Sequence, residues 1–229
     1  MDGQRPIVVR SLGLVAYEAG LEAQARAEAE VRDGARGIVL ALRHPPSVTL
    51  GRRADECELH VDRWERRRLG VALFHVERGG GATWHHPGQA VVYPVLHVGR
   101  LGLTVAAMLE AAGRAVTGLL AEAGIDASWD AERPGAYVRG AKVASVGLRV
   151  SGEVTTHGLA LNVRASSERG FAFIDPCKCP GLAVTSMERM LGRAPDPDRV
   201  AIDLATRLIA SLAALHRAPD AEGLRRAKV

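Results

Sequence analysis

Lys142-Val143-Ala144-Ser145-Val146-Gly147-Leu148-Arg149-Val150 is followed by Ser151-Gly152-Glu153 and then by Val154-Thr155-Thr156-His157-Gly158-Leu159-Ala160-Leu161-Asn162-Val163. Two β-branched runs of strand length flank a Ser-Gly turn signal, so residues 142–163 are expected to form an antiparallel hairpin. Strict alternation would place Lys142, Ala144, Val146 and Leu148 on one face. Gly147 and Gly158 interrupt the two strands. Strand glycines mark bulges or places where a ligand approaches the main chain.

Outward from this hairpin, strands and helices alternate. Towards the N-terminus, residues 7–11, 37–42, 48–50, 71–76 and 90–98 are strand-like, and 137–138 add a short piece before the hairpin. Residues 17–32 are rich in Ala and Glu and stop at Asp33-Gly34, which predicts a helix. Residues 62–69 form a short basic helix whose Arg66, Arg67 and Arg68 read as a solvated face. Residues 104–123 carry apolar side chains at helical spacing (Val105, Met108, Leu109, Ala112, Val116, Leu119) and stop at Gly124. Residues 78–88 read as a Gly-rich loop and 171–181 as irregular. Thr185 and Glu188 have capping-box spacing, so a helix is expected from Thr185. Asp196-Pro197 opens a last helix reaching about His216, before a charged tail. No linker or repeat separates these segments. The expectation is one α/β (α+β) domain over residues 1–229, with a mixed β-sheet flanked by helices.

Composition narrows the function. The 229 residues are 47% hydrophobic and 24% charged, the pattern of a globular protein. The net charge of +4 is mild and aromatics are only 4%, which argues against a nucleic-acid partner. The most apolar helical region, 101–124, contains Glu110, Arg114 and Glu122 and does not suit a bilayer, so no membrane partner is expected. The first ten residues lack the apolar core of a signal peptide. Three cysteines, Cys57, Cys177 and Cys179, are an odd set that points to a reducing, cytoplasmic location. Of the 30 basic residues only Lys142, Lys178 and Lys228 are lysine. A chain that uses Arg for generic positive charge keeps Lys where an amine that can lose its proton is useful.

Three segments could carry chemistry. Arg78-Gly79-Gly80-Gly81-Ala82-Thr83-Trp84-His85 joins a run of glycines to donors and an aromatic wall. It is followed by His86-Pro87-Gly88-Gln89, and it matches neither a Rossmann nor a P-loop spacing. Lys142 stands on an apolar strand, where an ammonium is costly to bury. Cys177 lies in the Pro-bounded loop Asp175-Pro176-Cys177-Lys178-Cys179-Pro180-Gly181, and a neighbouring amine lowers a thiol's pKa. Lys178 and Lys142 both qualify as that amine. No His or Cys spacing matches a metal site. The residues alone point to a Cys–Lys acyl- or group-transfer enzyme.

These motifs together resemble the octanoyltransferase family of lipoate biosynthesis. Arg78-Gly79-Gly80, Thr83-Trp84-His85, Pro87-Gly88-Gln89 and Tyr93-Pro94 are similar to the family's Arg-Gly-Gly signature. The stretch from Gly140 to Gly147 resembles its lysine motif, and the stretch from His157 to Val163 a following motif. Pro176-Cys177 and Val184-Thr185-Ser186 complete the order. Weaker likeness reaches back to His44-Pro45-Pro46 and Leu12-Gly13. The chain departs from the pattern at His86, Lys178 and Cys179.

The resemblance implies the fold of biotin- and lipoate-protein ligase catalytic domains and no cofactor. It implies transfer of octanoyl from octanoyl-acyl carrier protein to a lysine of lipoyl domains, those of 2-oxoacid dehydrogenases and the glycine cleavage H protein. Cys177 would carry the acyl group as a thioester and Lys142 would move the proton. Main-chain N–H groups near Ser145, Val146 and Gly147 would face the oxyanion. The Gly-rich stretch (Arg78 to His85) with Gly158, Leu159 and Ala160 would line the acyl site. An ATP-dependent lipoate or octanoate ligase of the same fold, and a non-catalytic carrier-domain binding protein, are the alternatives.

Overall fold

A computed structural model describes residues 6–175 and 181–217. Ten strands form two sheets. The strands are β1 (Val8–Leu14), β2 (Gly37–Arg43), β3 (Ser47–Leu50), β4 (Ala72–His75), β5 (Ala82–His85), β6 (Gln89–Leu96), β7 (Ser128–Asp130), β8 (Gly135–Val138), β9 (Ala141–Ser151) and β10 (Val154–Asn162). The larger sheet has the order β1-β2-β6-β10-β9-β8-β7, parallel only between β1 and β2. The smaller sheet has the order β4-β3-β5, with β3 parallel to β4 and antiparallel to β5.

The expected hairpin is present. Ser151 pairs with Val154, and Gly152 and Glu153 between them both take positive φ, 50° and 63°. Two-residue hairpin turns of the kind that match strand twist require this. Arg139 and Gly140 close the β8–β9 hairpin in the same way, at φ 50° and 82°.

Helices cover both faces of the larger sheet, which explains why β2, β6 and β10 are buried almost throughout. Val39 and Ala41 of β2 with Ala90 and Val92 of β6 pack under α3 (Val105–Glu122) and α5 (Pro197–Arg217). Ile38, Leu40 and Leu42 with Val91, Tyr93 and Val95 face the opposite way, towards α1 (Tyr17–Arg32). The buried positions of α1 are Tyr17, Gly20, Gln24, Ala27 and Val31, one stripe at helical spacing. The mixed sheet between helices agrees with the sequence expectation.

Four local features differ from it. Residues 78–88 are not all loop: 82–85 form β5, because Ala82 and Trp84 are buried in the core of the smaller sheet beside Val48 and Leu50. The helix after Ala183 is α4 (Met187–Leu191), and Ser186 rather than Thr185 caps it, its Oγ accepting from the Arg189 N–H. Glu188 turns away from the cap and accepts from the Ala165 N–H at 2.8 Å. A 3₁₀ helix over Ala165–Phe173 replaces the start of the irregular stretch. Finally, β9 does not alternate strictly. The ladder to β8 shifts register between Ala136 and Tyr137, so Ala144 stands opposite Ala136 but Lys142 opposite Tyr137. A bulge of this kind re-aims a side chain, here Lys142.

Candidate active site

Lys142 is 5% exposed. Its Nζ lies 5.6 Å from the centre of the Tyr137 ring, and its stem packs over Gly135, where a Cβ would fall 2.5 Å from Cε. Lys142 belongs to the wall of a cavity of about 450 Å³, together with Gly79, Gly80, Gly81, Val146, Gly147, Leu148, Val105, Leu109 and Leu182. Exposed Arg53, Glu132 and Arg133 also belong to the wall, so it mixes glycine and aliphatic surface with charge, and the lysine is its buried amine.

Main-chain bonds tie Lys142 to the segment that follows the cysteine motif. The Lys142 N–H donates to the Ala183 carbonyl at 2.8 Å, and the Thr185 N–H donates to the Lys142 carbonyl at 3.0 Å. Lys142 and Val184 thereby form a parallel bridge. Cys177, Lys178 and Cys179 lie outside the described residues. The flanking positions are anchored: the Asp175 N–H donates to the Glu58 carbonyl, and His60 Nε2 lies 2.9 Å from the Asp175 carboxylate.

A second, narrower cavity of about 40 Å³ adjoins the first and shares Gly80, Val146 and Gly147 with it. Arg78, Ala82, Thr83, His85, Ser145, Gly158, Leu159 and Ala160 also line it. The two cavities thus gather fourteen of the fifteen described site residues expected from sequence, from three separate motifs. Trp84 lines neither. It is buried, packs over Gly170 and edge-on to Phe173, and supports the smaller sheet.

The convergence has identifiable causes. β8 covers β9 only as far as Ser145, and beyond it the Gly-rich turn meets the β9 edge, the Gly79 N–H donating to the Leu148 carbonyl at 2.9 Å. Gly147 permits this approach, since a Cβ there would lie 2.9 Å from the Gly79 oxygen. The buried Arg78 guanidinium holds the other side of the turn. It donates to the Thr49 hydroxyl and carbonyl, each at 2.7 Å from Nη2, and to the Gly79 carbonyl at 3.0 Å.

The far end of the narrow cavity is polar. Tyr17, His85, Tyr93 and His157 line it, and His44 stands behind them. His44 Nδ1 lies 2.9 Å from the Val15 carbonyl and Nε2 lies 2.9 Å from the Tyr93 hydroxyl. A neutral ring fits both contacts: Nδ1–H donates to the carbonyl and Nε2 accepts from the tyrosine. Burial pushes His44 down to about 4 and, with the charge of Arg78, His157 also to about 4. Burial also holds His85 well below the usual histidine range and pushes Tyr17 up to about 12. At neutral pH this lining is polar without histidine charge.

Sequence reasoning gives Tyr17, His44, Tyr93 and His157 no site role, although the last three stand in segments that carry the family resemblance. The available signals were a histidine directly before Pro45-Pro46 and a tyrosine inside an otherwise aliphatic strand. Glu58 was also missed. It is 3% exposed, and its carboxylate accepts from the Asp55 and Ala82 N–H groups at 2.8 Å, which fixes the start of β5. Among the described residues no group of three or more His, Cys, Asp or Glu side chains is placed to hold a metal. No helix among them is long and apolar enough to cross a membrane.

The family model of the lipoyl protein ligase A/B catalytic domain matches residues 17–209. An octanoyltransferase of Syntrophobacter fumaroxidans is 39% identical over 190 residues, 82% of this chain and 83% of that protein. An octanoyltransferase of Roseiflexus sp. is 37% identical over 215 residues, 92% and 88% of the two chains. Among solved structures, a bi-partite lipoate protein ligase of Thermoplasma acidophilum aligns with a TM-score of 0.66 at 18% identity, over 93% of this chain and 91% of that one. A biotin protein ligase of Aquifex aeolicus aligns with a TM-score of 0.52 at 14% identity, over 93% and 71%. At such identities the two structures speak to the fold alone.

Proposed function

Because the chain belongs to the family of lipoyl protein ligase A/B catalytic domains, we propose that it acts, as a single catalytic domain, as an octanoyltransferase of lipoate biosynthesis. It moves octanoyl from the thioester of acyl carrier protein to a lysine amine of a lipoyl domain. The observation that carries the reading beyond the relatives' names is the buried Lys142 on the wall of a cavity lined also by Val146, Leu148, Val105, Leu109 and Leu182, bridged by main-chain bonds to the segment after Cys177.

Two half-reactions follow. In the first, the Cys177 thiol gives its proton to Lys142, and the thiolate attacks the donor carbonyl. The bond to the carrier sulfur breaks, the carrier thiolate takes the proton, and octanoyl remains on Cys177. In the second, the acceptor lysine amine attacks this thioester and Lys142 draws off its proton. The Cys177 sulfur leaves and is reprotonated. Negative charge develops on the carbonyl oxygen in both steps. Main-chain N–H groups of the Ser145–Val146–Gly147 stretch are the assigned donors to it. Arg78 and the glycines shape the turn above, and Gly158, Leu159 and Ala160 line the chain's path inward. No step needs a metal or cofactor.

Intact-protein mass spectrometry tests this. Wild type mixed with octanoyl-acyl carrier protein in the absence of ATP should gain a hydroxylamine-sensitive octanoyl adduct, and Cys177→Ser should not. Modification of a lipoyl domain only when ATP and free octanoate are supplied would replace this reading with an ATP-dependent ligase. A protein that binds carrier domains without acyl transfer under either condition would be a binding module.

A further inference from the structure

The short helix α2 (Arg63–Leu69) has no buried residue. Its ends are capped, and Arg66 alone among its side chains is half-buried, donating to the Val61 carbonyl at 3.2 Å. The Asp62 carboxylate accepts from the Glu65 N–H at 2.8 Å, and Gly70 closes the helix at φ 65°. The other side chains of the helix are exposed. That surface is not bland: Trp64 is 74% exposed, the most exposed of the large hydrophobic side chains, and the Arg67 guanidinium sits 5.9 Å from the centre of its ring. Leu69 is also exposed. A tryptophan left in water beside arginines is the composition that dominates binding energy at protein interfaces.

Charge says what fits. Arg63 and Arg67 make no ion pair among the described residues, and Arg68 reaches Glu65 only at 4.0 Å. The nearby acids are turned to other work: Asp62 caps the helix, Asp55 accepts from the Cys57 N–H, and Glu58 is buried under β5. Two further arginines stand at the cavity side of the smaller sheet. Arg52 and Arg53 are exposed, their N–H groups donate to the Arg78 and Gly80 carbonyls, and Arg53 lines the Lys142 cavity. The chain entering the helix N-terminus is joined to the residues just before the cysteine segment: the His60 N–H donates to the Phe173 carbonyl at 2.9 Å, and His60 Nε2 lies 2.9 Å from the Asp175 carboxylate.

We infer that α2, centred on Trp64 with Arg63 and Arg67, is the docking surface for the acidic carrier domain that delivers the acyl group. The inference rests on the octanoyl-transfer reading and names the place of its donor. No residue of α2 lines the Lys142 cavity. A donor whose thioester hangs on a long flexible arm can dock beside the opening, whereas an acceptor lysine must be brought to the opening itself. Carboxylates on the carrier meet the arginines and steer its approach, and Trp64 supplies the apolar contact.

The test compares two donors, octanoyl-acyl carrier protein and octanoyl-pantetheine, with wild type, Trp64→Ala and a double variant, Arg63→Glu with Arg67→Glu. Each variant should raise KM for the carrier-bound donor at least tenfold with kcat nearly unchanged. KM for the small thioester and for the acceptor domain should stay within twofold. Titration of each protein with unacylated holo-carrier, read by calorimetry, gives the binding loss independently of chemistry. Unchanged carrier affinity and KM in both variants would overturn the docking surface. So would a rise confined to the acceptor's KM, which would assign α2 to the acceptor. Failure of wild type to use either thioester while it still binds the carrier through α2 would overturn the transfer reading and leave the surface standing.

Discussion

Gly147 lies directly opposite Gly158 in the β9–β10 ladder, and the two glycines face different constraints. A Cβ on Gly147 would meet the Gly79 oxygen at 2.9 Å and Arg78 Cδ at 3.2 Å, both part of the turn over the cavity. A Cβ on Gly158 would run into the Val92 carbonyl and Pro94 Cδ of the neighbouring strand, in the middle of the larger sheet. Gly147→Ala should therefore push the Arg-Gly-Gly turn outward and lower kcat/KM by roughly tenfold or more, with a small change in melting temperature. Gly158→Ala should destabilise the fold by about 1–3 kcal/mol through overpacking. Activity assays and thermal denaturation on both variants check the contrast; equal loss of stability in the two would contradict it.

Lys142→Arg keeps a positive charge at the cavity wall but cannot exchange a proton near neutral pH. Single-turnover acyl-enzyme formation should slow by roughly 100-fold or more. The melting temperature should fall modestly, because the larger guanidinium must fit over Gly135 and Tyr137. A folded Lys142→Arg protein with wild-type rates would remove Lys142 from proton transfer.

Asn162 is one link in a buried hydrogen-bond chain. Gln89 Nε2 donates to the Trp84 carbonyl and to Asn162 Oδ1, and Asn162 Nδ2 donates to the Thr185 carbonyl at 3.0 Å. Thr185 is the residue whose N–H meets Lys142. Asn162→Ala leaves the Gln89 amide and the Thr185 carbonyl without this partner and should cost about 1–3 kcal/mol. A cycle with Gln89→Ala should show a coupling of roughly 0.5–3 kcal/mol, measurable by urea denaturation. Strict additivity would mean the two side chains act separately.

Stability should depend on acid in a defined window. His44 and His157 are pushed from 6.5 to about 4 by burial, so the unfolded chain binds their protons first. The stabilisation is complete above the unfolded value, near pH 6.5. It is lost as pH falls towards 4, because the unfolded state takes up protons the folded state refuses. Each such histidine gives a slope of roughly 1.4 kcal/mol per pH unit across that range. His85, also held well below its ordinary value by burial, adds to it. Urea midpoints measured from pH 7.5 to 4.5 should drop steeply below 6.5, and less so in His44→Gln. A flat profile would exclude neutral burial of these rings.

Much of the architecture is legible in the chain, for concrete reasons. The Ser151-Gly152 turn signal and the helical spacing of Val105 to Leu119 are local signals; the structure keeps the helix and the hairpin, with the turn one residue on, at Gly152-Glu153. The clustering of the Arg78, Lys142 and Gly158 motifs is anticipated by motif order, not by periodicity. Features set by distant partners are not legible. β5 is a strand because Glu58 and β3 receive it, and nothing within 78–88 announces either. Lys142 leaves its alternation because of a register shift dictated by β8. The cap falls on Ser186 rather than Thr185 because Glu188 is taken by Ala165. The polar end of the narrow cavity joins Tyr17, His44, Tyr93 and His157 from four elements, and each alone looks like an ordinary buried ring.

The bridge between Lys142 and residues 183–185 is made entirely of main-chain atoms. Any side chain at Ala183 or Val184 that tolerates an extended backbone preserves it. Mutational drift can therefore change the side chains of residues 183 and 184 while the lysine backbone keeps its place. Leu182 is different: it lines the Lys142 cavity, so a substitution there reshapes the wall and leaves the bridge intact.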